Sequence, residues 1–245
     1  MKRKWFIISI IIAVFGFFMY FLQDRLFDKG AWHSWSMPLS GKIIYIDPGH
    51  GGVDGGAESG DAVEKEIALS IAKKLRDYLQ QQGALVLMTR EDDTDLADED
   101  TRGLSRRKTE DLHRRVQLIN ESEADFFVSI HLNSIPSPRW YGAQTFYHKK
   151  FIENKVAAEM IQEELVKHLD TNRKARPIGH VYLLKASEKP GVLVEVGFLS
   201  NPGERDQLLS DRYQEKVAAS IYEGISRYFT KERNERIKRE EKPNH

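Results

Sequence analysis

The chain of 245 residues contains no cysteine, and its 37 basic side chains are balanced by 37 acidic ones. The missing cysteine excludes a disulfide framework, a thiolate zinc site and an iron–sulfur cluster, so any metal must be held by His, Asp or Glu. Because the formal net charge is zero, we expect no nucleic-acid partner of the kind that depends on phosphate contacts. Hydrophobic residues make up 40% of the chain, which is enough to bury a core and argues against general disorder.

An apolar run, residues 5–22, follows three basic residues at the N-terminus. Its length approaches the roughly 20 residues that a helix needs to cross a bilayer. A cleaved signal peptide and a buried core helix are the alternatives, although no small-residue cleavage site follows the run. We predict a basic cytoplasmic end at 1–4, a transmembrane signal-anchor at 5–22 and a linker at 23–40. Basic residues before the span favour a cytoplasmic N-terminus, so the rest of the chain should lie outside the membrane.

Residues 41–230 alternate between strand-like apolar segments and helical patterns. Strands are predicted at 42–47, 84–89, 125–131, 143–147, 181–184 and 191–196, and helices at 64–82, 112–122, 152–169 and 213–229. This alternation predicts one α/β domain, with a mixed, mostly parallel twisted sheet covered by helices on both faces. In such sheets, ligands bind at the carboxyl ends of the strands.

Two charge-rich segments depart from this pattern. Residues 91–108 contain seven acids before Arg102. The segment lacks the spacing of a calcium-binding loop, so we predict a solvated excursion from the domain. Residues 231–245 are almost entirely charged, which is typical of a solvated or frayed helical tail.

Two candidate site residues lie near the beginning of the domain. His50 follows a strand that ends at Asp47 and enters a glycine-rich turn, and this turn fits neither the dinucleotide-binding nor the P-loop pattern. Glu64 begins a helix and lies on its core-facing stripe, three residues before Ile67. A buried carboxylate needs a cationic partner. Each residue also has an ordinary interpretation, because His50 could be a turn histidine and Glu64 could complement the helix dipole.

Two further candidates, His131 and Glu195, lie in other predicted strands. The face that carries His131 changes from apolar to polar at the carboxyl end of its strand. Glu195 interrupts a strand that is otherwise apolar, so its pKa should rise unless a positive centre lies nearby. A general base works best with a pKa near the operating pH. The alternatives are a satisfied core histidine and a structural salt bridge from Glu195 to Arg90 or Arg115.

Two histidines, a ligating glutamate and a second glutamate match the requirements of a mononuclear zinc hydrolase, although no H-E-x-x-H motif is present. Five ordered sequence blocks carry a more specific signal. They are 46–52 (IDPGHGG), 64–66 (EKE), 89–90 (TR), 127–133 (FVSIHLN) and 193–201 (LVEVGFLSN). In these blocks, over about residues 41–229, the chain resembles the zinc-dependent N-acetylmuramoyl-L-alanine amidases of the Amidase_3 family.

The resemblance implies a zinc ion held by His50, Glu64 and His131, with Glu195 as the catalytic glutamate. It also implies hydrolysis of the peptidoglycan amide between the lactyl group of N-acetylmuramic acid and L-alanine. The catalytic domain would be 41–230, followed by the charged tail at 231–245. It would lie on the extracytoplasmic side of the membrane, or be secreted if the N-terminal segment is cleaved.

One N-terminal anchor and no wall-binding repeats resemble the germination-specific, spore-cortex members of the family. This likeness implies that the enzyme prepares muramic acid for conversion to muramic δ-lactam. A polysaccharide deacetylase is then the expected functional partner, and an activating lipoprotein is a further candidate. Two other hypotheses are a different peptidoglycan-directed zinc hydrolase, such as a deacetylase or peptidase, and a non-catalytic membrane-tethered wall-binding module.

Overall fold

The computed structural model describes Trp5, residues 14–19 and residues 37–241. Most of the predicted anchor at 5–22 and of the linker at 23–40 lies outside the described residues. Within the described residues, no helix has both the length and the apolar character needed to span a membrane. The chain divides into two units, Met1–Met37 and Pro38–His245, and the second unit contains the fold described below.

A six-stranded mixed sheet forms the centre of this unit, with the strand order β4-β1-β5-β8-β6-β7. Its strands are β1 (Ile43–Pro48), β4 (Leu85–Met88), β5 (Phe126–Asn133), β6 (Gln144–Tyr147), β7 (Arg176–Pro177) and β8 (Gly191–Phe198). All neighbouring strands are parallel except β6 and β8. A short antiparallel pair, β2 (Glu58–Ser59) and β3 (Ala62–Val63), lies outside this sheet. The predicted α/β fold with a largely parallel sheet is confirmed.

Helices cover both faces of the sheet. They are α1 (Glu64–Gln81), α2 (Leu104–Glu121), α3 (Ile152–His168), α4 (Tyr182–Ala186), α5 (Pro202–Leu208), α6 (Asp211–Tyr228) and α7 (Lys231–Glu240). Ile44 and Ile46 belong to the core shared with α1, α3 and α6, whereas Tyr45 belongs to the core shared with α2 and α4. This division follows from the alternation of side chains along a strand.

The register of the central strands places the polar ends of three strands side by side. Asp47 of β1 is paired with Ser129 of β5, and His131 of β5 is paired with Glu195 of β8. The strands before these positions are apolar and buried. Because the three strands are parallel, their carboxyl ends meet at one edge of the sheet, where side chains from all three can converge.

Three segments differ from the pattern expected from the sequence. Residues 181–184, predicted as a strand, belong mostly to the short helix α4, because an apolar run of four residues does not distinguish a strand from a buried helical turn. Helix α2 begins at Leu104 rather than near 112. The part of the excursion at 91–108 that precedes α2 is exposed over much of its length, but Asp95 pairs at 2.5 Å with Arg107 of α2, and the side chain of Asp95 is only 6% exposed.

The charged tail forms α7 over most of its described length. Its Arg236 lies 2.8 Å from Glu163 of α3, and its Glu240 pairs with Lys155 of the same helix. Ile237, the single apolar residue of this helix, packs against the main core. These contacts fix α7 on the domain despite its high charge.

Candidate metal and catalytic site

His50, Glu64 and His131 converge at the carboxyl edge of the sheet, and their potential ligand atoms all lie within 4.8 Å of one another. Oε1 of Glu64 is 3.0 Å from Nδ1 of His131 and 3.3 Å from Nε2 of His50. The two imidazole centroids are 5.1 Å apart. Two imidazoles and one carboxylate are a typical three-residue ligand set for catalytic zinc, so the group present here fits such an ion.

The turn that carries His50 has a strained and closely packed backbone. His50 has a φ of 61°, the only positive φ of a non-glycine residue in the described chain. A Cβ at Gly49 would lie 2.3 Å from the ring of His131, so glycine is required for the two histidine segments to approach each other. Two buried guanidinium groups stabilise the turn, because Arg115 donates to the carbonyl oxygen of His50 and Arg90 donates to that of Gly49.

Glu64 is buried at the first position of α1, with 3% of its surface exposed. Its Oε1 accepts a hydrogen bond from the amide of Leu132 at 2.9 Å, and its Oε2 accepts one from the amide of Ala57 at 2.8 Å. Burial alone would raise the pKa of Glu64, but hydrogen bonds from His131 and His50 outweigh burial and hold this pKa well below its usual range. The carboxylate is therefore ionised and oriented, as a metal ligand must be.

Glu195 lies near this group in a different electrostatic environment. Its Oε2 is buried without a hydrogen-bond partner within the described part of the chain. Burial raises the pKa of Glu195 to about 7, although the nearby His131 opposes this rise. The alternative of a salt bridge to Arg90 or Arg115 is wrong, because Arg115 pairs with Asp47 and the hydrogen bonds of Arg90 go to backbone carbonyl oxygens.

A pocket of about 250 Å³ connects these groups. His50, His131 and Glu195 line it from the sheet edge, and Lys108 and Tyr182 line it from α2 and α4. Because His50, His131 and Glu195 face one small cavity, a reacting group placed there would be within reach of two candidate ligands and of the partnerless carboxyl group.

Sequence reasoning missed the residues that orient the ligands. Oδ2 of Asp54 lies 2.8 Å from Nδ1 of His50, and Lys108 lies 3.0 Å from the same carboxylate. Such a carboxylate fixes the ring and the tautomer of a histidine ligand. The sequence does contain an acid four residues after His50, in a glycine-rich turn. Whether the side chain of that acid faces the histidine depends on the conformation of the turn, which the sequence does not indicate.

The fold and the site define an α/β protein with a candidate metal centre of two histidines and a glutamate beside a buried carboxyl group. Residues 44–227 match the family model described as N-acetylmuramoyl-L-alanine amidase, Amidase_3. The chain therefore belongs to this amidase family, and the family predicted from the five sequence blocks is confirmed.

The relatives define the type of amidase more closely. The chain is 56% identical over 232 residues to the germination-specific N-acetylmuramoyl-L-alanine amidase of Bacillus subtilis (strain 168), which covers 94% of this chain and 96% of that protein. It is similar to the CwlD amidase from Clostridioides difficile, solved in complex with the GerS lipoprotein, with 44% identity, a TM-score of 0.75, and coverage of 76% and 98% of the two chains. An N-acetylmuramoyl-L-alanine amidase from Clostridium difficile 630 matches with 33% identity, a TM-score of 0.68, and coverage of 76% and 96%. The predicted likeness to germination-specific members is confirmed.

Proposed function

We propose that this chain hydrolyses the amide between the lactyl group of N-acetylmuramic acid and L-alanine in spore-cortex peptidoglycan, with zinc held by His50, Glu64 and His131. The observation that carries this proposal is the partnerless carboxyl group of Glu195, which lines the same pocket as the candidate ligands His50 and His131. Membership of the amidase family favours this reaction over a deacetylase or a peptidase. The germination-specific relative supports the role in spores.

Glu195 is the proposed proton carrier of the reaction. When bound, zinc supplies Lewis acidity that polarises the scissile carbonyl and makes water more acidic. Glu195 accepts a proton from the attacking water as the new C–O bond forms, and it then donates that proton to the amine of L-alanine as the C–N bond breaks. Because burial raises the pKa of Glu195 to about 7, this carboxyl group can both accept and donate the proton near neutral pH.

The contacts of the two histidines support one nitrogen of each ring as the proposed ligand atom. With zinc bound, Asp54 would hold the Nδ1 side of His50, and Nε2 of that ring, which faces Glu64, would be the nitrogen offered to the metal. The nitrogen of His131 that faces Glu64 is Nδ1. A donor set of two imidazoles and one carboxylate would leave a bound zinc ion with net positive charge.

The cell-wall substrate places the reaction outside the cytoplasm. The signal-anchor at 5–22 remains part of the proposal and is supported by its apolar sequence, with the secreted form as the alternative. Removal of the peptide leaves a muramic acid residue with a free lactyl carboxyl group. A polysaccharide deacetylase could then act on this residue, and formation of the muramic δ-lactam would follow. The complex of the similar CwlD amidase with the GerS lipoprotein supports a lipoprotein partner for this chain.

Mass spectrometry of purified cortex peptidoglycan, digested with the full-length chain, tests the proposal. We expect peptides with free N-terminal L-alanine and intact glycan strands that lack peptide, and we expect a zinc chelator to prevent their release. Released acetate, or cleavage within the peptide, would instead identify a deacetylase or a peptidase. Absence of any product with the zinc-loaded chain would argue for a non-catalytic wall-binding protein.

A further inference from the structure

A groove of about 690 Å³ beside the active site is lined by four basic side chains. They are Arg139, Arg173, Lys174 and Arg176. Over residues 37–241, none of the four has a carboxylate within ion-pair distance, whereas Arg227 on another surface pairs with three glutamates. Burial lowers the pKa of Arg173; the nearby Glu204 opposes this change, and the neighbouring Arg176 adds to it. The groove therefore attracts anions.

The groove adjoins Glu195 through the antiparallel pairing of β6 and β8. Gln144 is the direct partner of Glu195 in this register, and directly opposed residues of an antiparallel pair lie on the same face with their Cβ atoms about 5 Å apart. The Oε1 atom of Gln144 accepts a hydrogen bond from Nη1 of Arg173 at 3.1 Å. Gln144 thus links the guanidinium group of Arg173 to the strand position directly opposite Glu195.

Arg173 is held in place by neutral groups. Its Nε donates to the carbonyl oxygen of Tyr141 at 2.7 Å, and its guanidinium carbon lies 4.6 Å from the ring centroid of Phe198 and 5.6 Å from that of Trp140. Its Nη2 has no hydrogen-bond partner in the 37–241 segment. A fixed guanidinium with a free N–H edge can bind a carboxylate with little further ordering.

We propose that this groove binds the acidic stem peptide of the substrate, with Arg173 contacting the α-carboxylate of the D-glutamate that follows L-alanine. The proposal rests on the amidase function given above. Two residue steps of about 3.8 Å separate that carboxylate from the scissile nitrogen, so a peptide whose scissile nitrogen lies at Glu195 would extend this carboxylate past Gln144 toward the groove. The groove would then recognise the leaving group of the reaction.

The test compares muramoyl peptides that differ at one carboxyl group. The zinc-loaded full-length chain is given N-acetylmuramoyl-L-alanyl-D-glutamate with its γ-carboxyl group amidated, and the same compound with an α-carboxamide. We expect kcat/KM to be about 10-fold higher for the α-carboxylate, as expected for a hydrogen bond to a charged group. Arg173→Gln should remove this preference mainly through KM, whereas Arg212→Gln on the exposed part of α6 should retain it.

A third compound, with an α-carboxamide on the second residue and a free carboxylate on a third residue, identifies which carboxylate is bound. The enzyme could prefer this compound over its neutral analogue and yet show no preference for the α-carboxylate of the second residue. That result would overturn the assignment to the D-glutamate carboxylate. Equal hydrolysis of charged and neutral compounds by the wild type, or an unchanged preference in Arg173→Gln, would overturn the groove proposal and leave the amidase proposal intact. Failure of the wild type to cleave any of the compounds would reject the amidase proposal itself.

A second variant keeps the proposal testable if Arg173→Gln does not fold, as judged by circular dichroism. Lys174 and Arg176 are both exposed, so their double substitution to glutamine should leave the fold unchanged. We expect this variant to reduce the preference for the α-carboxylate by about threefold, the scale of exposed charges near a ligand. A preference equal to that of the wild type would count against the groove.

Discussion

Two glutamates in one site have opposite electrostatic environments, and this difference supports the roles proposed for them. Hydrogen bonds from His131 and His50 hold the pKa of Glu64 below its usual range, whereas burial raises the pKa of Glu195 to about 7. A carboxylate that stays ionised suits a metal ligand, and a carboxyl group that titrates near neutral pH suits proton transfer. The opposite shifts of the two pKa values therefore agree with the proposed roles, Glu64 as the metal ligand and Glu195 as the base.

Glu195→Gln should retain the fold and the bound zinc but lower kcat by about 10² or more, because the amide cannot accept the proton of the attacking water. The measurement is the rate of release of N-terminal L-alanine from a muramoyl peptide, together with the zinc content of the variant. Glu188→Gln, at an exposed position remote from the pocket, is the matched control and should match the wild type. Activity of Glu195→Gln near the wild-type level would contradict the proposed role of Glu195 as the proton carrier.

The raised pKa of Glu195 predicts a pH-dependent stability for the metal-free chain. In the folded chain the pKa of Glu195 lies above the ordinary value of 4.5, so the folded state binds this proton more tightly than the unfolded state does. The resulting stabilisation is fully present below pH 4.5 and is lost as the pH rises toward about 7. Glu195→Gln removes the cost of burying the charge. We therefore expect that, with a chelator present, the free energy of unfolding of the variant relative to the wild type increases by ~1–3 kcal/mol from pH 5 to pH 8, as measured by urea unfolding. The same difference at both pH values would contradict this explanation.

At this scale, the sequence allowed prediction of the four central residues but not of their supporting contacts. The core-facing stripe of α1 located Glu64, and the interrupted apolar strand located Glu195. The pairing of Arg115 with Asp47 joins residues 68 positions apart on separate elements, so no local pattern indicates it. The positive φ of His50 is likewise a product of the assembled turn.

At the scale of elements, α2 connects the sheet edge to the turn that carries His50. Arg115 of this helix is 2% exposed and lies 2.7 Å from Asp47 at the end of β1 and 2.8 Å from Asp111 one turn away. The same guanidinium also donates to the carbonyl oxygens of Pro48 and His50. The position of the turn thus depends on a buried ion pair between a helix and a strand.

Asp47→Ala should destabilise the fold by about 3–5 kcal/mol, because it leaves the buried guanidinium of Arg115 without one of its two carboxylate partners. Urea unfolding measures this change. Asp92→Ala is the matched control, since the side chain of Asp92 is 86% exposed and lies 4.0 Å from Lys73, a surface pair worth less than about 1 kcal/mol. Similar losses in the two variants would show that the buried pair has no special role in stability.

The elements that were predicted well are those with long periodic patterns. Helix α1 and strands β1, β5 and β8 have continuous stripes or buried apolar runs, so their boundaries agree with the prediction within two or three residues. The first half of α2 is rich in charge, and its apolar period begins only near 112, so the start of this helix was missed. Strand β7 has two residues and depends on pairing with β6, which no local sequence pattern indicates.

At the scale of the whole molecule, the zero net charge conceals an uneven distribution. Residues 1–40 hold five basic and two acidic side chains, whereas residues 41–230 hold 26 basic and 31 acidic ones. The catalytic domain is therefore acidic, and the positive groove beside Glu195 is a local exception to its overall charge. An anionic peptide is then attracted to the groove rather than to the surface in general.

Zinc should stabilise the whole domain, because a ligand that binds only the folded state shifts the unfolding equilibrium by mass action. At a zinc concentration of about 100 times Kd, the gain of about 2.7 kcal/mol corresponds to a rise in Tm of roughly 5–10 °C for a domain of this size. Calorimetry with elemental analysis should show this rise and one zinc per chain, and His131→Ala should lose both. His168→Ala alters a second group of possible ligands, Glu164, His168 and Glu223, and should keep both. A shift that survives His131→Ala but disappears in His168→Ala would place the metal at that second group instead.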